Sequence, residues 1–144
     1  MKCSEVKTKI VEAIENIEPD NVQYSGDKFN HVGPGLDIVG YDRQFQVQRD
    51  TPQAFSRISF GNADTLEVTF ALSVVYMNTS APDFETRILD DGDSIVKALR
   101  VLEQVNPQIL TIEVTGSGDI EADDQGNRLC DWSVLVRYDP REAS

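Results

Sequence analysis

Acidic side chains are the groups in this chain most able to do chemistry. They gather in two places, "LDDGDS" (89–94) and "GDIEADDQGN" (118–127). Both offer several carboxylate oxygens, the donors that hard divalent cations take. An EF-hand loop needs acidic or amide donors at alternate positions, a glycine at the sixth and a glutamate at the twelfth. The run from Asp123 starts with suitable donors, but no glutamate closes the cage. Asp119, Asp123 and Asp124 are therefore read as a solvated turn. Asp90, Asp91 and Asp93 are read as part of a helix start, where the dipole favours negative charge. An enzyme working through these carboxylates, with a divalent metal, is an alternative that tight metal binding would revive.

Other reactive constellations are missing from the sequence. His31 is the only histidine, so a triad or a histidine-based metal centre lacks its second partner, and an ordinary loop histidine is expected. "GPG" (33–35) and "GSG" (116–118) have neither dinucleotide-binding nor phosphate-loop spacing. Ser117 has no nearby base and sits in no nucleophile elbow. No pair of carboxylates is singled out for acid–base work. The expectation is a protein without catalytic residues, cofactor or metal.

Composition narrows the partners. Thirteen basic and 25 acidic side chains give a formal charge of -12. Phosphate backbones and anionic membranes call for a basic face, so neither is an expected partner. No apolar run approaches the roughly 20 residues of a membrane span, and "MKCSEVKTKIVEAIENIE" reads as amphipathic mature sequence rather than a secretory leader. Cys3 and Cys130 are the two cysteines. A reduced, cytosolic origin is expected, with Cys130 a small apolar residue. The 144 residues fit a single domain.

Positioning elements follow from periodicity. Val6, Ile10, Ile14 and Ile17 recur at helical spacing, predicting a helix at about 4–17, capped by Ser4 and ended by Pro19. Residues 19–44 carry four of the nine glycines and two prolines and read as a long loop, with short extended pieces near 22–24 and 36–41. "RQFQVQRD", "FSRISF" and the stretch from 65 to 77 predict a meander of two or three antiparallel strands, with "DTPQA" and "GNAD" as turns. In the last of these, Leu66, Val68, Phe70, Leu72, Val74 and Tyr76 alternate with more polar residues. Twelve such residues span about 40 Å, the width of a domain this size.

A second helix is expected after "NTSAPD", capped by Ser80 or Asp83. Its stripe is Ile88, Gly92, Ile95, Leu99 and Leu102, flanked by Leu89 and Val96. Gly92 marks either close packing or a break with Asp93 capping a second segment; Asn106–Pro107 ends the element. "ILTIEV" (109–114) and "WSVLVRY" (132–138) complete a hairpin with a polar tip at about 115–128. Trp132 and Tyr138 share a face, suited to core or interface. The class is α+β: an antiparallel or mixed sheet with two helices packed on one face.

This order of elements resembles the tail terminator (tail-completion) proteins of long-tailed bacteriophages. The likeness rests on the amphipathic helix "SEVKTKIVEAIENI", the loop-rich strand section, the long strand "LEVTFALSVVYMN" leading to a helix near "DSIVKALRVL", and the final strand "WSVLVRYDP". The resemblance implies a structural virion protein at the head-proximal end of the tail, assembled in the host cytoplasm. It implies a hexameric ring joining tail tube protein to a neck or head-completion protein, with DNA only as passing cargo and no membrane. It carries no catalytic residues over. On this reading Leu66, Val68, Phe70, Leu72, Val74, Tyr76, Trp132 and Tyr138 are candidate subunit-interface residues. Phe29, His31, Leu36, Asp119, Asp123 and Asp124 are candidate docking-loop residues. Six copies at -12 each would carry -72, and an acidic lumen would repel passing DNA. The alternatives are another head–tail connector or neck component, or a non-viral small dimeric binding domain.

Overall fold

One 14-residue strand organises the molecule. In the computed structural model this strand, β4 (Ala63–Tyr76), is flanked along both edges. The structure describes residues 1–18, 28–32, 43–49, 55–60, 63–76, 84–121 and 127–141. On one side of β4 lies β6 (Arg128–Tyr138), antiparallel and in unbroken register from Leu66↔Tyr138 to Tyr76↔Arg128. Beyond it lies β5 (Ile109–Glu121). On the other side are two six-residue strands, β2 (Gln44–Arg49) and β3 (Phe55–Phe60). The short β1 (Asn30–His31) runs parallel to β2, which makes the sheet mixed.

Of the expected meander, β3 and β4 do pair antiparallel, but β2 does not pair with β3. β2 pairs with residues 70–75 of β4 and β3 with residues 63–68, both antiparallel. They therefore run in one direction, end to end, along a single edge. Between Arg49↔Phe70 and Phe55↔Val68, only Thr69 remains unmatched on β4, against residues 50–54 on the other side. "DTPQA" thus interrupts one long edge strand rather than reversing the chain; its own conformation lies outside the described residues. The geometry is possible because β4 is long enough to hold two strands in line, and it starts two residues earlier than "GNAD" suggested.

Both helices cover the same sheet face. Val68, Phe70, Leu72, Val74 and Tyr76 of β4, with Cys130, Val134, Val136 and Tyr138 of β6, form one core with α1 (Cys3–Glu15) and α2 (Phe84–Val105). α1 buries Val6, Ile10 and Ile14 as its spacing requires. Its start is not capped by Ser4: Lys2 occupies the cap position without a side-chain bond. A tertiary clasp holds that end instead. The Met1 amino group donates to the carbonyls of Arg141 at 2.6 Å and Asp139 at 3.3 Å.

α2 is continuous for 22 residues, so Gly92 is not a break. Asn106 closes it by donating its Nδ2 to the Leu102 carbonyl at 2.9 Å. Its capping residues, Ser80 or Asp83, lie outside the described residues, as do the extended pieces expected near 22–24 and 36–41. Leu89, expected to flank the stripe, is exposed. The polar hairpin tip is shorter than expected. β5 runs to Glu121 and β6 starts at Arg128, with a register shift between Gly116 and Asp119 absorbing the glycines.

Gly92 is not held by crowding either. A Cβ built there would meet Trp132 Cζ2 at 3.7 Å, an ordinary contact. Gly92→Ala should therefore raise stability by about 0.5–1 kcal/mol, the helix-interior cost of glycine, read as a higher urea midpoint at unchanged slope. Leu99, fully buried beneath the same helix, should behave oppositely, with Leu99→Ala costing about 2–5 kcal/mol.

Candidate functional site

The strongest concentration of polar chemistry lies inside the protein. Arg43 stands immediately before β2 and is fully buried, and Asp91 of α2 is 3% exposed. The Arg43 guanidinium donates from Nε to Asp91 Oδ2 at 2.6 Å and from its terminal nitrogen to Oδ1 at 3.0 Å. This is the forked geometry in which arginine binds a carboxylate most specifically. The Tyr76 hydroxyl donates to the same Oδ2 at 2.9 Å. The guanidinium also lies 5.7 Å from the centre of the Phe29 ring, a cation–π distance.

Several backbone bonds meet at the same place. The Arg43 N–H donates to the Val75 carbonyl, and the Arg43 carbonyl accepts from Asn30 N–H. Arg43 has φ of 56°, in the left-handed region that non-glycine residues seldom adopt. The cluster holds that strained turn in place. Burial, and then the adjacent Asp91 charge, push the Tyr76 phenol well above its ordinary value. Tyr76 thus stays neutral and donates a hydrogen bond to the carboxylate, so both Asp91 oxygens are engaged within the protein.

Sequence reading missed this cluster because it assigned Gly92 to the helix stripe. The legible signal was Asp91 itself. Ile88, Asp91, Ile95, Leu99 and Leu102 follow spacings of three, four, four and three, so a carboxylate falls on the buried face and must find a partner.

The acidic cluster 89–94 is thereby split. Asp91 points inward to Arg43, while Asp90 and Asp93 are exposed. Among the described residues no group of three histidine, cysteine or acidic side chains could hold a metal. Asp119 lies in β5 opposite Cys130; Asp123, Asp124 and Leu36 lie outside the described residues.

The other expected site residues are placed as follows. Val68, Phe70, Leu72, Val74, Tyr76 and Tyr138 are buried in the chain's own core, with Leu66 and Trp132 packed against it. The side chains of the buried ones are taken up by this chain's own core, while Leu66 and Trp132 are half-buried. Phe29 is likewise a core residue, 6.3 Å from Phe45 in an edge-to-face pair, rather than a docking residue. His31 is half-buried in β1 with its ring 5.4 Å from that of Phe45.

Among the described residues, β5 ends the sheet on one side, and β1 and β3 lie on the other. The Ile112 N–H points away from β6 and is taken by Glu103 Oε2 of α2 at 3.0 Å. Strand alternation turns the Val114 N–H the same way. The face of the sheet away from the helices is mixed, with Val75, Leu129 and Leu135 beside polar residues, and it carries the cross-strand pair Arg137 Nε–Glu67 Oε2 at 2.7 Å.

Compared with models of known protein families and with curated protein sequences, the chain matches none.

Two outcomes follow from the buried cluster. Asp91→Ala leaves the Arg43 charge buried and unpaired and should cost about 3–5 kcal/mol in urea unfolding. Adding Arg43→Met to that variant should restore part of the loss. The phenol of Tyr138 is raised, like that of Tyr76, chiefly by burial. Folded pKa values above the unfolded 10 leave stability intact below pH 10 and erode it as pH rises through the folded values. Absorbance at 295 nm should show at least two of the four tyrosines ionising only together with loss of the folded far-UV spectrum.

Proposed function

We propose that this protein is a structural subunit of a ring, and that the ring is the tail terminator of a long-tailed phage, seated between tail tube and neck. The observation that carries the reading is the sheet's pair of unlike free edges, β5 on one side and β1 with β3 on the other among the described residues. A contact that continues the sheet from one edge of a copy to the opposite edge of the next is heterologous. Such contacts close into rings when the rotation allows.

One further feature supports it: the order of elements resembles that of the tail terminators. In this arrangement β4 is the inner spine of each subunit, and the contacts between copies are made by edge strands and loops. The acidic surface would keep DNA moving through a lumen without adhesion.

Light scattering across protein concentration and salt tests the reading. A sixfold mass, appearing as salt screens the -12 of each copy, is the expected result. A dimer that never grows would replace this reading with a small dimeric binding domain. Val114→Pro removes an outward N–H without touching the β5–β6 ladder. It should abolish the sixfold species while the far-UV spectrum of the subunit persists.

A further inference from the structure

A groove of about 770 Å³ runs between α1 and α2 on the outer surface of the helical layer. The two helices are antiparallel. α1 begins beside the end of β6, where Met1 meets Asp139, and α2 ends at that same place, just before Ile109, which is registered with Tyr138. The groove therefore has two chemically different ends. Towards the end of α2 its wall is apolar, with Val101 49% and Val105 67% exposed beside Leu102. Ala13 and Ala98 keep the middle shallow-walled. Towards the start of α2 it is acidic, lined by Asp90 and Asp93 and by Glu18, three residues past the end of α1.

The basic residues nearby offset this end only in part: Lys28 pairs with Glu18 at 2.8 Å and Lys97 lies one turn beyond Asp93, while Lys9 and Glu12, of opposite charge, line the groove nearer the other end. The α2 wall from Asp90 to Val105 is about 24 Å long at 1.5 Å per residue, the length of a four-turn helix. Exposed valines spaced four apart match the i, i+4 side-chain rows of such a helix.

We propose that this groove docks an amphipathic helix of a partner protein. The partner's apolar stripe lies on Val101 and Val105, and basic residues in one terminal turn reach Asp90 and Asp93. Charge complementarity selects this occupant, and among the described residues a second copy has no amphipathic helix to offer, because both helices bury their apolar stripes in the chain's own core. The polarity of the groove fixes which way the partner helix runs. The proposal does not depend on ring formation.

The test is a fluorescence-anisotropy titration with a labelled 16-residue synthetic helix bearing leucines on one face and lysines in one terminal turn. Two control peptides accompany it, one with the lysines replaced by glutamates and one scrambled at the same composition and charge. Saturable one-to-one binding of the first peptide alone is expected. The double variant Val101→Glu/Val105→Glu should weaken it at least tenfold. Asp90→Asn/Asp93→Asn should weaken it about threefold to tenfold, most at low salt. Leu110→Glu, an equally exposed apolar position outside the groove, should leave it unchanged. All these positions are exposed, so the variants should fold, which far-UV circular dichroism checks. Equal binding of the scrambled peptide, or an equal loss in Leu110→Glu, would show attraction to net charge alone and overturn the proposal. A self-association abolished by Val105→Glu would give the groove to a second copy and overturn it equally.

Discussion

The forked pair between Arg43 and Asp91 is the constraint on which the arrangement of this fold turns. Removing both charges from water costs several kcal/mol per ion, recovered only when geometry is good and the remaining lone pairs are satisfied. Here they are: Asp91 accepts two bonds from Arg43 and a third from Tyr76. The consequence is positional. Arg43 is tied through its backbone to Val75 of β4 and to Asn30 of β1, while Asp91 belongs to α2. One side-chain contact thus fixes the height and rotation of the long helix over the sheet and the point where the chain enters β2. A hydrophobic stripe alone would leave that helix freer to slide, because burial is not directional.

The second organising fact is that β4 is interior. A long alternating strand invites the idea that it extends the sheet into a neighbouring molecule. Its edges are instead taken by β6 and by β2 and β3 in line, and its apolar face by the two helices. On the ring proposal, association therefore falls to the outer strands, above all to β5. There Glu103 already takes one outward N–H, a device that blunts an exposed edge in the free subunit.

Much of the fold was legible. The helices of Ile10 and Leu99, the strands of Phe70 and Val134 and the α+β class all follow from period alone, because each element buries one face. The failures have definite causes. Ser4 is a good cap by type, but the cap position falls at Lys2, two residues earlier, next to the Met1 clasp. Gly92 drew attention as the odd residue of its stripe, while the carboxylate beside it was the buried one. The two edge strands looked like successive hairpin arms because a local turn signal cannot distinguish a reversal from an interruption; only the length of the partner strand decides. The candidate interface residues were picked for apolar alternation, the same property that marks a core, and the core took them.

By itself the sequence determined the apolar face of each long element, that two helices share one sheet face, and that the chain is strongly acidic. These are local or compositional properties, set by side-chain period and charge count. Only the tertiary structure decided that Arg43 and Asp91, 48 positions apart, meet in the core, that β2 and β3 lie end to end, and which sheet edges and helix surfaces face outward. Those outcomes depend on non-local pairing, where the desolvation of a charge and the length of a central strand select among packings that the same local pattern would permit.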